Sequence, residues 1–180
     1  HSYSSAASDV YKRQIYNGWI SATILFATDD KILCPLPLFH VFAAYPIWLG
    51  CMHSGAHMII PTPSGYRGEG VLDNFWKILE HWQCTAFITV PTAATMLTQR
   101  VVDADISNLS FVISGSAPFP KQQLEEFKAH IQANVLEGYG MTEATCLISC
   151  NPLNSIQKTG SVGAVMPYTC LLYTSDAADE

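Results

Sequence analysis

Between residues 137 and 144 the chain reads Glu137-Gly138-Tyr139-Gly140-Met141-Thr142-Glu143-Ala144. Two glycines let the backbone approach a ligand closely. Tyr139 offers a flat face for a base, the Thr142 hydroxyl can donate to a phosphate oxygen, and a carboxylate such as Glu143 can hold a hard divalent cation. The set points to a nucleotide site. Two further segments carry chemistry-bearing residues behind turns: Leu36-Pro37-Leu38-Phe39-His40-Val41-Phe42 and Val112-Ile113-Ser114-Gly115-Ser116-Ala117-Pro118.

Other constellations point elsewhere and carry less. His53 and His57 have the helical spacing of a zinc pair, but Gly55 lies between them and no third ligand follows. The loop Thr62 to Gly70 lacks the Gly-Lys-Ser/Thr ending that brings a lysine to phosphate. Ser114 and Ser116 sit beside glycine without the Gly-x-Ser-x-Gly of a hydrolase elbow. These are read as a structural pair, a surface connection and turn residues.

The elements that must position the three segments follow from periodicity. Short apolar runs alternate with amphipathic ones, which predicts an α/β fold: a mostly parallel sheet flanked by helices. Helices are expected over Ile15 to Ala27, His40 to Leu49, Val71 to Trp82, Pro91 to Val102 and Pro120 to Ile131. Strands are expected at Lys31 to Cys34, His57 to Ile60, Ala86 to Val90, Leu109 to Ile113 and Asn134 to Glu137. The turns at Pro35, Ser114 and Gly138 each follow a strand directly, so all three should gather at the carboxyl edge of one sheet, where ligands of open α/β sheets sit.

The residues 137–144 resemble the Gly-Tyr-Gly-x-Thr-Glu motif of the AMP-forming acyl-CoA synthetases, within the wider adenylate-forming superfamily. Leu36 to His40 resembles that family's Leu-Pro-x-Phe-His segment and Ser114 to Pro118 its Ser-Gly-x-Ala-Pro turn; Gly160-Ser161-Val162-Gly163 adds a fourth match in the same order. The resemblance implies a fatty-acid or coumarate CoA ligase-like activity. A carboxylic acid and ATP form an acyl-adenylate, which passes to CoA, with Mg2+ as cofactor. It further implies that Thr142 contacts the α-phosphate, that Glu143 holds the metal, and that His40 sits near the acyl carboxylate as an orienting group. Tyr139 is implied to lie against the adenine, with Ser116, Ala117 and Pro118 opposite and Glu137, Gly138, Gly140 and Met141 as neighbouring wall. Phe42, Val90, Ser114, Gly115, Gly138 and Met141 are expected to line an apolar acyl pocket.

The resemblance covers residues 15 to 169, a partial AMP-binding domain from the large N-terminal domain of such an enzyme. Residues 1–14 and 170–180 are similar to translated adapter read-through and are set aside as non-native-looking tails. The family's phosphate loop, ribose-binding aspartate, hinge and catalytic lysine match no segment, so the chain alone is expected to be an inactive fragment. Two alternatives stand beside this reading: an adenylation domain loading a carrier protein, and a non-catalytic nucleotide- or acyl-binding homologue. The first commonly takes an amino acid, whose amine an aspartate holds; residues 35–41 offer none.

Composition bounds the rest. The 180 residues carry a net charge of -6 and no basic run, which argues against nucleic acid as a partner. No apolar stretch reaches the length of a transmembrane span. Six cysteines without a Cys-x-x-Cys pair read as reduced, which places the protein in the cytoplasm.

Overall fold

The computed structural model describes the backbone of residues 2–169 and the side chains of residues 12–169. Its centre is a seven-stranded sheet in the order β2-β1-β3-β4-β5-β6-β7. The strands are β1 (Lys31–Leu33), β2 (His57–Ile59), β3 (Ala86–Thr89), β4 (Phe111–Ser114), β5 (Asn134–Met141), β6 (Cys146–Cys150) and β7 (Ala164–Val165). The first five run parallel, and β6 and β7 are antiparallel additions. The expected mostly parallel sheet flanked by helices is therefore what forms.

Alternation along each strand decides which face a residue enters. Ile32, Ala86, Ile88, Phe111, Ile113 and Leu136 join one buried cluster, under α1 (Ser2–Ile24), the π-helical segment Ala43–Leu49 and α2 (Gly50–Ser54). Leu33, Phe87, Val112 and Val135 join the other, under α3 (Phe75–Trp82), α4 (Pro91–Thr98) and α5 (Lys121–Ile131). Both faces are covered, which is why these strands read as continuous apolar runs.

Several boundaries differ from expectation for physical reasons. Helix α1 begins at Ser2, so the expected division at residue 14 falls inside it, and it ends at Ile24 because Leu25 and Phe26 turn into the core; residues 170–180 lie outside the described residues. The helix expected over His40 to Leu49 is wider than α-helical: Pro46 inside it has no N–H to give, and the segment takes π-helical pairing and then continues as α2 to Ser54. Gly55, in the left-handed region at φ 79°, ends it. His53 and His57 therefore lie on different elements, α2 and β2, and do not share a helix face. Helix α4 stops at Thr98, leaving Val101 82% exposed. Strand β5 runs on to Met141, so most of the 137–144 segment is strand, and β6 and β7 were not expected at all.

Candidate active site

The parallel registers align Ile32 with Ala86, Ala86 with Phe111 and Phe111 with Asn134. The turns after β1, β4 and Glu137 consequently leave the same edge of the sheet, as the strand-then-motif order requires.

Strand β5 changes partners at that edge. Up to Glu137 it pairs in parallel with β4, the last pair being Ser114 with Glu137. From Gly138 onward it pairs antiparallel with β6, Gly138 facing Cys150 and Met141 facing Cys146. The reversal is made by the short helical turn Thr142–Ala144, followed by Thr145 and Cys146 at positive φ. A register shift between Tyr139 and Gly140 leaves Ile148 without an opposite residue, a bulge of the kind that re-aims side chains beside a site.

Two cavities meet at this stretch. The first, about 160 Å³, is bounded by His40, Val41 and Phe42, by Pro46 and Ile47 of the π-helical segment, by Leu25 and Ile113, and by Cys146, Leu147 and Cys150 of β6. The second, about 270 Å³, is bounded by Ser114, by Ser116 through Phe119, by Glu137, and by Gly160 and Val162. Ser116, Gly138, Tyr139 and Gly140 line both. Met141, Thr142 and Gly115 face the first only, Ala117 and Pro118 the second only. Of the residues expected in an acyl pocket, Phe42, Gly115, Gly138 and Met141 line the first cavity. Ser114 lines the second instead, and Val90 borders a separate groove with Pro35, Leu36 and Met96.

The polar groups are arranged unevenly. His40 is exposed and lines the first cavity, and its Nδ1 accepts the Phe42 backbone N–H at 3.3 Å. Thr142, exposed, lines the same cavity; Glu143 is exposed, lines neither cavity and makes no ion pair among the described residues. Glu137 is buried, and its carboxylate accepts the Gly160 N–H at 3.1 Å. Burial pushes its pKa above the usual carboxylate range, with the Gly160 N–H and the charge of Lys128 pulling back. The Ser114 hydroxyl, 2% exposed, has no hydrogen-bond partner among the described residues.

A strap, residues 152–163, closes the second cavity. The Asn151 amide donates to Ser161 O at 2.6 Å and to Glu137 O at 3.4 Å, and Thr159 donates to Glu125 of α5 at 2.8 Å. Gly163, at φ 79°, passes so close to Cys150 that a Cβ would lie 2.1 Å from its carbonyl oxygen. Sequence reasoning noted Gly160 to Gly163 only as a motif match and missed the roles of Asn151, Cys146, Leu147 and Cys150. The apolar run Cys146 to Cys150 after a turn was the available signal for β6. The five described cysteines are free and buried, and Cys170 lies outside the described residues. Burial pushes the Cys146 and Cys150 thiols up to about 12, so both line the first cavity as neutral groups. No described helix is long and apolar enough to cross a membrane.

A family model described as AMP-binding enzyme matches residues 1–178. A marinolic acid–CoA ligase from Pseudoalteromonas sp. (strain SANK 73390) is 36% identical over 143 residues, covering 78% of this chain and 22% of that protein. A 4-coumarate-CoA ligase 2 from Narcissus pseudonarcissus is 32% identical over 145 residues, covering 77% of this chain and 24% of its own length. Among solved structures, ATP-bound MatB from Rhodopseudomonas palustris superposes with a TM-score of 0.74 at 27% identity, covering 86% of this chain and 30% of that one. The anthranilate CoA ligase AuaEII in complex with anthranoyl-AMP shares the fold, with a TM-score of 0.73 at 19% identity over 87% of this chain and 30% of that one. The chain thus spans about a quarter of the length of the curated relatives it matches. With its parallel sheet, its edge cavities and its Gly-Tyr-Gly-Met-Thr-Glu strand, it belongs to the AMP-binding enzyme family.

Proposed function

We propose that the protein carrying this chain activates a carboxylic acid with ATP and transfers the acyl group to CoA. The observation that carries the reading is the pair of cavities sharing Gly138, Tyr139 and Gly140: the first lined mainly by apolar side chains of the π-helical segment and β6, the second bordered by Ser114, Ser116 and Glu137 beside Pro118, Phe119 and Val162. The acid would lie in the first with its carboxylate toward His40, and the adenosine of ATP in the second. A carboxylate oxygen attacks the α-phosphorus, the bond to the β-phosphate oxygen breaks, and pyrophosphate leaves. The CoA thiol then adds to the acyl carbonyl, loses its proton, and AMP departs. Two anions must be held at contact before the first step, so positioning and charge compensation dominate. His40 orients the carboxylate; it need not take a proton, because the nucleophile is already ionised.

Thr142 lines the first cavity, and Glu143, the next residue, is exposed and outside both. One exposed carboxylate without a protein partner among the described residues suits Mg2+, which is commonly held by one or two carboxylates together with substrate phosphates. The ion would supply charge neutralisation at the phosphates. The relatives named as CoA ligases support CoA over a carrier protein as acceptor. No aspartate, glutamate, lysine or arginine lines the first cavity. An amino acid's ammonium or a second carboxylate would be desolvated there without a partner, which favours an acid with an uncharged, apolar tail. The retained Glu143 speaks against a mere binder.

The test is acid-dependent ATP–pyrophosphate exchange by the full-length protein with straight-chain, aromatic, dicarboxylic and amino acids. Exchange with uncharged-tail acids is expected, and Glu143→Gln should lower it by about 3 kcal/mol in transition-state stabilisation with unchanged melting. Near wild-type exchange in that variant refutes the role of Glu143; exchange with amino acids alone refutes the acid assignment.

A further inference from the structure

The geometry points to Ser114 as a direct hydrogen-bonding contact to the adenosine half of the nucleotide, an inference that rests on the second cavity being the nucleotide site. Ser114 ends β4, opposite Glu137 of β5, and its side chain is 2% exposed. Its hydroxyl nevertheless finds no partner among the described residues, while the residue borders the second cavity. Two neighbouring groups bond elsewhere: Gly115 N–H donates to Thr89 O, and one oxygen of the Glu137 carboxylate accepts from Gly160 N–H.

A buried hydroxyl left unpaired destabilises a folded chain; Ser21, Trp76 and Ser149 also carry unpartnered buried groups among the described residues, and of the four Ser114 is the one that borders the second cavity. An apolar residue would pack here at no such cost, since the neighbours of Ser114 along β4 are Phe111, Val112 and Ile113. A ligand with polar atoms at that depth removes the penalty: the hydroxyl can donate to a ring nitrogen or accept from an amine or sugar hydroxyl. The acyl tail does not have such atoms, which separates this assignment from a place in the acyl pocket.

The two consequences have opposite signs. Removing the hydroxyl relieves the ligand-free protein and weakens the nucleotide complex. In the full-length protein, Ser114→Ala is expected to melt no lower than wild type without ligand, while its KM for ATP rises on the order of tenfold, the equivalent of one hydrogen bond. The KM for the acid should stay within about twofold, because the side chain borders the other cavity. Ser114→Cys, similar in shape but a weak donor, should behave like Ala. An unchanged KM for ATP in both variants overturns the inference, and so does a rise accompanied by lower melting and a raised KM for the acid, which marks general disturbance. Tyr139→Ala in the same assay separates the failures. If it raises the KM for ATP while the Ser114 variants do not, the nucleotide site stands and the Ser114 contact falls. If neither does, and ATP leaves wild-type melting unmoved, both fall.

Discussion

Replacing Gly140 by alanine should damage this protein far more than replacing Gly138, although the two glycines flank the same tyrosine. Neither residue has a positive φ, so the argument is one of space. A Cβ on Gly140 would lie 2.0 Å from the carbonyl oxygen of Cys146, 2.5 Å from its carbonyl carbon and 3.2 Å from Leu147 N. All three atoms are backbone of β6, so no rotamer relieves them. Real Cβ contacts essentially never fall below 3.0 Å, so β5 and β6 must part at this point. An opening of about 1 Å at a wall shared by both cavities corresponds to a loss on the order of 100-fold in rate. Overpacking of this kind costs a further ~1–3 kcal/mol of stability. A Cβ on Gly138 meets nothing nearer than Ser149 O at 3.6 Å, an ordinary contact. Thermal melting and ATP–pyrophosphate exchange on the full-length protein measure both effects. The expected result is lowered melting and at least ~100-fold slower exchange for Gly140→Ala, with wild-type melting for Gly138→Ala. Wild-type behaviour of Gly140→Ala, or equal damage from both changes, refutes the close approach of β5 and β6.

Two further outcomes test the strap and its buried carboxylate. Asn151→Ala should raise the KM for ATP and leave kcat nearly unchanged, because Asn151 holds Ser161 and through it the Gly160–Val162 wall; faster amide exchange at Gly160 and Ser161 is the accompanying signature, and a KM equal to wild type refutes it. Glu137 is held above the usual carboxylate range mainly by burial, so its folded form favours the proton. The stability this gives is complete below the unfolded pKa and is lost as pH rises through the folded one. Glu137→Gln, permanently neutral and still able to accept from Gly160, should therefore melt above wild type at about pH 7, the gap closing toward about pH 4. A gap that does not vary with pH refutes the assignment of the shift to burial.

The parallel half of the sheet was legible because its strands are buried on both faces and bounded by proline, glycine or polar turns: Ala86 to Thr89, stopped by Pro91, is the plainest case. Helices α3 and α5 were legible from apolar residues at helical spacing, such as Leu124, Phe127 and Ile131. What escaped was whatever depended on long-range pairing. Gly138 to Met141 look like a loop locally, with two glycines in four residues, and become strand only because β6 returns beside them. The π-helical widening around Pro46 is likewise invisible to periodicity. The residues expected at the site were chosen by type and spacing, which carry no information on how they divide between two cavities: Ser114 and Gly115 were expected together and line different ones. An alternating strand sends neighbours to opposite faces, so a one-residue difference between Ser114 and Gly115 decides the cavity.

That division follows from where β4 ends. Its ladder with β5 stops at Ser114 and Glu137, while β5 continues for four residues, paired among the described residues with β6 alone. On the side β4 has vacated, the chain turns away through Gly115 and Ser116, the latter in the left-handed region at φ 72°. The gap between the departing turn and the continuing strand is therefore open, and both cavities look into it, with Ser116, Gly138, Tyr139 and Gly140 common to them. Two ligands entering from opposite sides would meet across the backbone of Gly138 to Gly140, where no side chain but that of Tyr139 stands between them. A strand is better suited to this than a loop, because β6 fixes it from behind and the bulge at Ile148 sets its pitch. Glycine is required at 140 by the nearness of β6 and is useful at 138 for the room it leaves. The joining of an acid to a nucleotide, on this reading, is made possible by a sheet that is one strand short on one side for four residues.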